Sequence, residues 1–313
     1  MNRYRNAYDR LNSQLNVVSQ NENRSKIGLY INALWYFIRY GITPNEYLGW
    51  NCWRYSKSVI KSFYTARDSA RYEKHFNNPA SSHLFNNKVD FNTTFSEFVK
   101  REWIFTSNSS KMQIAEFIAN HKKMVVKPIG LSSGKGIYTI ESTSQWKGDD
   151  GFLIEDYIQQ HPALSKLNPS SVNSVRVYTL RRKNGTPSIL SASIRVGGEG
   201  ADVDNYHAGG CGYPIDIETG VIYLPGTDIK GNSYLYHPTT GEKMIGFEIP
   251  NWKDLIEFVF KAMEVVPQAR LLAWDVAVLQ DGFEMIEGNY NGDPGFLQAP
   301  SKQGKKLDII KEL

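Results

Sequence analysis

The sequence predicts an α+β protein with a mostly helical N-terminal region, and three stretches carry that reading. Asp275 to Asn289 reads DVAVLQDGFEMIEGN, two alternating apolar runs separated by Gln280-Asp281-Gly282, and alternation broken by Asp-Gly is a hairpin signal. The segments around Ile27 to Tyr40 and Val59 to Phe76 carry apolar residues at helical spacing. From Met124, MVVKPIGLSSGKGIYTIE reads as a strand, a glycine-rich loop and a second strand.

A chain of 313 residues is long enough for a well-buried core and more than one domain. Hydrophobic residues at 41% and charged residues at 22% describe an ordinary globular protein. The net charge of +4 is mild and spread out; it favours anionic small substrates and does not argue for nucleic acid. Cys52 and Cys211 are the only cysteines and neither has metal-ligand spacing, which fits a reducing compartment. The start MNRYRNAYDR has no apolar core after its charges, and no run approaches the roughly 18 apolar residues of a membrane span. The expectation is a cytoplasmic protein.

Taken in order, residues 1 to about 85 read as mostly helical, with Gly41-Ile42-Thr43-Pro44 breaking the first strong segment. The aromatics here, among them Tyr30, Trp35, Tyr36, Phe37, Tyr40, Tyr47, Trp50, Trp53 and Tyr55, suit either a sugar-stacking or partner surface or a plain core. No strand-turn-helix alternation of a nucleotide-binding unit is present. Phe91 to Glu102 reads as a short helix, Trp103 to Phe105 as a strand, and Lys111 to His121 as an amphipathic helix. Strands are expected over Met124 to Lys127 and Gly136 to Ile140. The intervening loop holds Gly130, Ser132, Ser133, Gly134 and Lys135, whose amides, hydroxyls and ammonium suit a phosphate. It lacks the Walker spacing and following helix, and a flexible hairpin tip would look the same.

Phe152 to Glu155 is a buried-strand pattern running into Asp156-Tyr157-Ile158. Val172 to Leu180 and Ser188 to Val196 read as paired strands joined by Lys183-Asn184-Gly185. Arg176 and Arg195 lie within them, where arginine needs an anionic partner or a reach to solvent. A glycine-rich loop, Gly197 to Gly212, holds Asn205, His207, Gly209 and Gly210. Asn251 to Val266 reads as an amphipathic helix and Lys302 to Glu312 as a terminal one. On the hairpin, Asp275 opens the first strand while Glu287 and Asn289 close the second, so three hard oxygen side chains lie together. That suits magnesium, although ordinary solvated hairpin ends have the same composition.

The ordered set Lys88, MVVKP with SSGKG, FLIEDYI, Arg176, Arg195 with Asn205 and Gly209-Gly210, then Asp275 and Glu287-Gly288-Asn289, resembles the ATP-grasp superfamily. QQHPALSKLNPSSVNSVRVYTL with WDVAVLQDGFEMIEGN is similar to the sugar-transfer-associated ATP-grasp proteins found with polysaccharide biosynthesis enzymes. The resemblance covers residues 88 to about 300. Residues 1–87 depart from it, because many ATP-grasp enzymes place a Rossmann-like domain there.

The resemblance implies an ATP-grasp fold, two α+β subdomains clasping ATP. Residues 1–87 would form a helical region and 88–313 the ATP-grasp domain, with a lid over about 105–158 and a catalytic subdomain over about 159–313. It implies Lys88 and Lys127 as the lysines of the α- and β-phosphates, with Ser132, Ser133 and Lys135 closing over the β- and γ-phosphates. Glu155 would accept from the adenine amino group, the backbone of Tyr157 and Ile158 would be the hinge, and His161 falls near the ribose position. Asp275, Glu287 and Asn289 match the magnesium ligands, with Glu287 bridging two ions.

ATP-grasp ligases pass the γ-phosphoryl group to a carboxylate, and an amine attacks the acylphosphate. Two anions must approach, which assigns Arg176, Arg195 and Lys135 to charge stabilisation. Asn205, His207 and the Gly209-Gly210 amides would hold the carboxylate, and Asp293-Pro294-Gly295 would shape the amine side. The implied cofactors are ATP and Mg2+. The implied partners are a small carboxylate such as a sugar acid, an amine such as an amino acid, and the enzymes of glycan biosynthesis. Three activities stand side by side: a carboxylate-amine ligase, a kinase and a nucleotide-binding module without turnover. A full lysine, arginine and metal set speaks against the last.

Overall fold

The structure, a computed structural model, describes residues 2–131, 136–169, 171–198, 206 and 209–313. The chain opens with helices α1 (Asn2–Asn21) and α2 (Lys26–Tyr40). Ser25 starts α2 by accepting the Gly28 amide, and Gly41, at φ 78, ends it in the left-handed conformation that glycine adopts without strain. Thr43 and Glu46 then cap α3 (Pro44–Gly49) reciprocally, with proline in its first turn. The single helical run expected over residues 59–76 is two helices, α4 (Lys57–Ser62) and α5 (Ala66–Phe76). Phe63 and Tyr64 keep helical spacing in sequence, yet both turn inward as buried side chains, Phe63 with extended backbone, and a Thr65–Asp68 capping box restarts the helix.

Leu15, Leu29, Tyr36, Tyr47, Trp50 and Trp53 form the core of this region, with the Trp50 and Phe63 rings stacked at 4.5 Å. Tyr36, Tyr47, Trp50 and Trp53 are therefore core aromatics, whereas Trp35 and Phe37 stay exposed. After α6 (His83–Asn86), helix α7 spans Lys88–Thr94. It begins three residues before the expected Phe91, because Asn87 accepts the Val89 and Asp90 amides, and it stops where Phe95, Phe98 and Val99 turn into the core.

A four-stranded antiparallel sheet follows, built from β1 (Trp103–Phe105), β2 (Met124–Pro128), β3 (Tyr138–Ile140) and β4 (Phe152–Asp156) in the order β1-β4-β2-β3. Helix α8 (Lys111–Asn120) covers one face, where Ile114 and Ile118 pack on Met124, Val126 and Ile154. Alternation along the strands sends Lys127 and Glu155 to the opposite face.

The larger sheet comes after α9 (Pro162–Leu167). It comprises β5 (Val175–Arg181), β6 (Pro187–Val196), β7 (Cys211–Ile215), β8 (Gly226–Thr227) and β9 (Ser233–Tyr234), then, after α10 (Trp252–Val265), β10 (Leu271–Leu279) and β11 (Gly282–Asn289). Its order is β11-β10-β5-β6-β7-β8-β9. Trp274, Val276, Val175 and Val177 face Leu255, Val259 and Ala262 of α10, while Leu271, Ala273, Tyr178 and Leu180 face Tyr64, Phe76 and Phe296. With both faces covered, β10 starts at Leu271, and Asp275 lies in its middle rather than at its opening. Helices α11 (Pro294–Gln298) and α12 (Lys306–Ile310) close the chain. The last is shorter than the expected Lys302 to Glu312, because Lys302 sits at φ 56, outside the helical region.

The N-terminal helices are bonded into this body. Gln298 accepts the Tyr64 amide at 2.9 Å and donates to the Tyr64 carbonyl at 2.8 Å. The Trp50 indole donates to the Gly295 carbonyl at 3.0 Å. Among the described residues, no helix is long and apolar enough to cross a membrane.

Candidate active site

The register of the large sheet assembles a row of charge that no single segment contains. Asp275 on β10 is opposite Glu287 on β11 and, on its other side, opposite Arg176 on β5. A bulge between Asp275 and Val276, which leaves Ile286 as the extra residue, holds the two acids in register. Arg176 donates through Nε and Nη2 to the Asp275 carboxylate, the latter at 2.7 Å, and lies 3.7 Å from Glu287. Arg195 on β6 reaches Asp275 at 3.2 Å and donates Nε to the Ser174 hydroxyl at 3.2 Å.

Asp275 is fully buried. Burial by itself would raise its carboxyl, but Arg176 and then Arg195 hold it below the usual carboxylate range. Glu287 keeps half of its side chain open to solvent at the end of the row. Desolvation against the sheet, then the neighbouring Asp275 carboxylate, push its carboxyl up. Asn289 lies on the same strand face and donates to Glu287 Oε1 at 3.4 Å. Gly288 between them points the other way, where a Cβ would stand 2.8 Å from Phe91 and 3.0 Å from Phe85.

A second cluster lies on the face of the small sheet opposite α8, buried against α7 and β11. Glu155 is ion-paired to Lys127 and accepts from Asn92 and Arg101, each at 2.8 Å. Burial opposes its charge, but Arg101 and Lys127 more than compensate and hold its carboxyl at about 2. Arg101 also donates to Glu284 and to the Met285 carbonyl, each at 2.8 Å, so one buried guanidinium joins the small sheet to β11. Lys88 donates to the Pro128 and Leu131 carbonyls at 3.0 and 2.8 Å. Burial lowers its ammonium, and it stands within electrostatic reach of Glu287, Lys127 and Glu155, between the two clusters.

Several expected ligand contacts are engaged by the protein itself. The Glu155 carboxylate, expected at adenine, already takes three of the protein's own donors. The Tyr157 amide, expected at the hinge, donates to the Lys123 carbonyl at 3.0 Å. His161, expected near the ribose, caps α9 by accepting the Ala163 amide at 3.1 Å. Ser132, Ser133, Lys135, Asn205 and His207 lie outside the described residues. Gly209 has φ +102 and Gly210 is buried; a Cβ on Gly198 would stand 3.0 Å from the Gly209 carbonyl. His237 and Asn168 hold the start of this loop through the Gly197 carbonyl, at 3.1 and 3.4 Å. Arg101, Asn92 and His237 were not legible as site residues. Arg101 stands in Lys100-Arg101-Glu102, which reads as a solvated charge run, and only the fold shows its partners.

Among the described residues, no group of three or more His, Cys, Asp or Glu gathers as a ready metal set. Glu287 and Asn289 nonetheless present hard oxygens at the solvent edge, where a divalent cation would relieve the repulsion Asp275 exerts on Glu287. Both Asp275 oxygens carry arginine contacts, so the donor set fits magnesium best through Glu287 and Asn289, with Asp275 behind them. A separate cavity of about 140 Å³ lies where α3 meets α11, lined by Thr43, Glu46, Trp50, Tyr206, Asp293 and Phe296.

Solved structures similar to the chain include an N5-carboxyaminoimidazole ribonucleotide synthetase in complex with ADP, at 12% identity and TM-score 0.44, covering 72% of this chain and 50% of that one. An L-amino acid ligase from Bacillus licheniformis matches at 11% identity and TM-score 0.44, covering 71% of this chain and 44% of its own. D-alanyl-alanine synthetase A from Vibrio cholerae matches at 14% identity and TM-score 0.46, covering 74% and 62%. The chain thus spans about half the length of the first two. No curated protein matches it. A family model, sugar-transfer associated ATP-grasp, matches residues 142–309, more than half of the chain and all of the strands that carry Arg176, Arg195, Asp275 and Glu287. By that match the chain belongs to the sugar-transfer associated ATP-grasp family, and its fold is the ATP-grasp fold.

Proposed function

We propose that the protein is an ATP-dependent carboxylate-amine ligase acting through an acylphosphate, with a sugar acid as the carboxylate and an amino acid or other amine as the acceptor. The observation that carries the proposal is the charge row Glu287–Asp275–Arg176 with Arg195, set beside Lys88 and Lys127. Two anions, the ATP γ-phosphate and a carboxylate, repel one another, and a site that joins them needs fixed positive charge and a cation-binding edge. The family's association with sugar transfer supports the sugar acid.

In this reading Lys88 and Lys127 hold the nucleotide phosphates, and Glu287 with Asn289 holds Mg2+, which when bound neutralises phosphate charge. Tyr157 already donates its amide to Lys123, so Ile158 serves the adenine edge, and Glu155 fixes Lys127 in place. Ser132, Ser133 and Lys135 close over the phosphates, and Asn205, His207 and the Gly209-Gly210 amides grip the acid. Arg195, less buried than Arg176, stabilises the transferring group, while Arg176 keeps Asp275 ionised. The substrate carboxylate oxygen attacks the γ-phosphorus and ADP leaves; the amine then attacks the carbonyl, phosphate leaves and the amine gives up a proton.

The test is ADP release with sugar acids, with and without amines, followed by hydroxylamine trapping. An acid-dependent hydroxamate is expected. A stable phosphorylated product with no hydroxamate would overturn the ligase in favour of a kinase, and no turnover with any acceptor would leave a nucleotide-binding module. Lys127→Ala is expected to weaken nucleotide binding by about 1.5–3 kcal/mol in calorimetry, the range of hydrogen bonds to charged groups.

A further inference from the structure

Helix α2 is apolar on two faces. Leu29, Ala33 and Tyr36 point into the helical core, yet Ile27, Ile31, Leu34 and Ile38, spaced along the opposite side, are 73%, 63%, 60% and 66% exposed. Trp35 and Phe37 flank that stripe and are also exposed. Scattered surface apolar residues need no explanation, but a continuous stripe over three turns marks a surface that something covers.

The charge around the stripe says what. Residues 1–75 carry twelve Lys and Arg against five Asp and Glu, and the rest of the chain carries 24 against 27, so the positive charge is not evenly spread after all. Cations sit at the stripe itself: Lys57 lies 5.2 Å from the Trp35 ring centre, Arg67 5.8 Å from that of Phe37 and Lys26 5.9 Å from that of Tyr30. The nearby acids are already engaged. Glu22 is paired with Arg54 at 2.7 Å, Asp68 with Lys306 at 2.9 Å, and Glu46 is buried as a helix cap. An aliphatic stripe with aromatic flanks and an uncompensated cationic surround is the chemistry of a helix lying in the interface of an anionic bilayer.

We propose that the outer face of α2 docks the protein on anionic membrane surfaces, with Ile27, Ile31, Leu34 and Ile38 entering the acyl boundary and Lys26 and Lys57 meeting the headgroups. This is peripheral binding, with the rest of the chain in water.

The test is co-sedimentation of the full chain with phosphatidylcholine vesicles that contain or lack phosphatidylglycerol. Binding is expected only with phosphatidylglycerol, and it weakens as salt is raised. An Ile31→Glu, Leu34→Glu pair alters exposed residues, and a separate Lys26→Glu, Lys57→Glu pair alters one half-buried and one exposed residue, none of the four in the core. Each is expected to keep its helical dichroism and to lower vesicle partitioning about tenfold or more. Absence of vesicle binding, equal binding to both compositions, or unchanged partitioning in both variants would overturn the proposal. Self-association abolished by the Ile31→Glu, Leu34→Glu pair, with no vesicle binding, would overturn it in favour of a second copy of the chain.

Discussion

Arg101 is the residue on which the two sheets depend. Its guanidinium is buried, and it meets Glu155 on one sheet and Glu284 with the Met285 carbonyl on the other. Replacing one member of such a cluster leaves the other charges buried without their partner, which costs far more than the net worth of the intact set. Arg101→Met is therefore expected to lose about 3–5 kcal/mol in urea unfolding. A loss below about 1 kcal/mol would show that the cluster does not tie the sheets together. Glu155 adds a pH dependence. Its carboxyl is held at about 2 in the folded chain against an ordinary 4.5, so unfolding takes up a proton. The stability it contributes is complete above about pH 4.5 and is lost as the pH falls toward 2. Glu155→Gln is expected to be less stable at neutral pH and to have a shallower acid limb; an unchanged slope between about pH 4.5 and 2 would contradict that.

At the scale of the element, the hairpin of β10 and β11 shows what sequence can and cannot convey. Its Asp-Gly turn and period-two alternation were legible, and so was the nearness of Asp275, Glu287 and Asn289, because one local turn joins their strands; the bulge that sets Asp275 opposite Glu287 rather than Ile286 was not. The pairing of Asp275 with Arg176 was not, since it depends on β10 lying between β11 and β5, and strands nearly a hundred residues apart leave no local signature. The run from Val59 to Phe76 misled for the opposite reason: Phe63 and Tyr64 satisfy helical spacing but are buried by packing that interrupts the helix. Gly288 tests the hairpin directly. A Cβ there would press against Phe91 and Phe85, while Glu287 and Asn289 on the other face would remain free to act. Gly288→Val is expected to destabilise the fold by about 1–3 kcal/mol, the cost of overpacking, as read by thermal unfolding. A variant as stable as the parent would mean that the two rings yield freely.

At the scale of the whole molecule, the helical N-terminal region is hydrogen-bonded into the body of the sheets, although its sequence shares nothing with their pattern. Asn77, at the end of α5, makes this concrete. It is buried, accepts the Leu271 amide at 2.9 Å, and donates to the Leu271 carbonyl at 2.8 Å and to the Tyr290 carbonyl. These contacts fix the first residue of β10 and the residue after β11, so the helices register the very hairpin that carries Asp275 and Glu287. Trp50 with Gly295 and Tyr64 with Gln298 tie the same region to α11. Far-UV dichroism, weighted to the helices, and the fluorescence of the chain's seven tryptophans, Trp274 of the large sheet among them, are expected to report one coincident unfolding transition. Asn77→Ala, which leaves buried main-chain groups without partners, is expected to lower stability by about 1–3 kcal/mol and to shift both signals together. Loss of the helical signal in a separate transition that precedes the main fluorescence change would show instead that the helices fold apart from the body and that Asn77 serves only the local join.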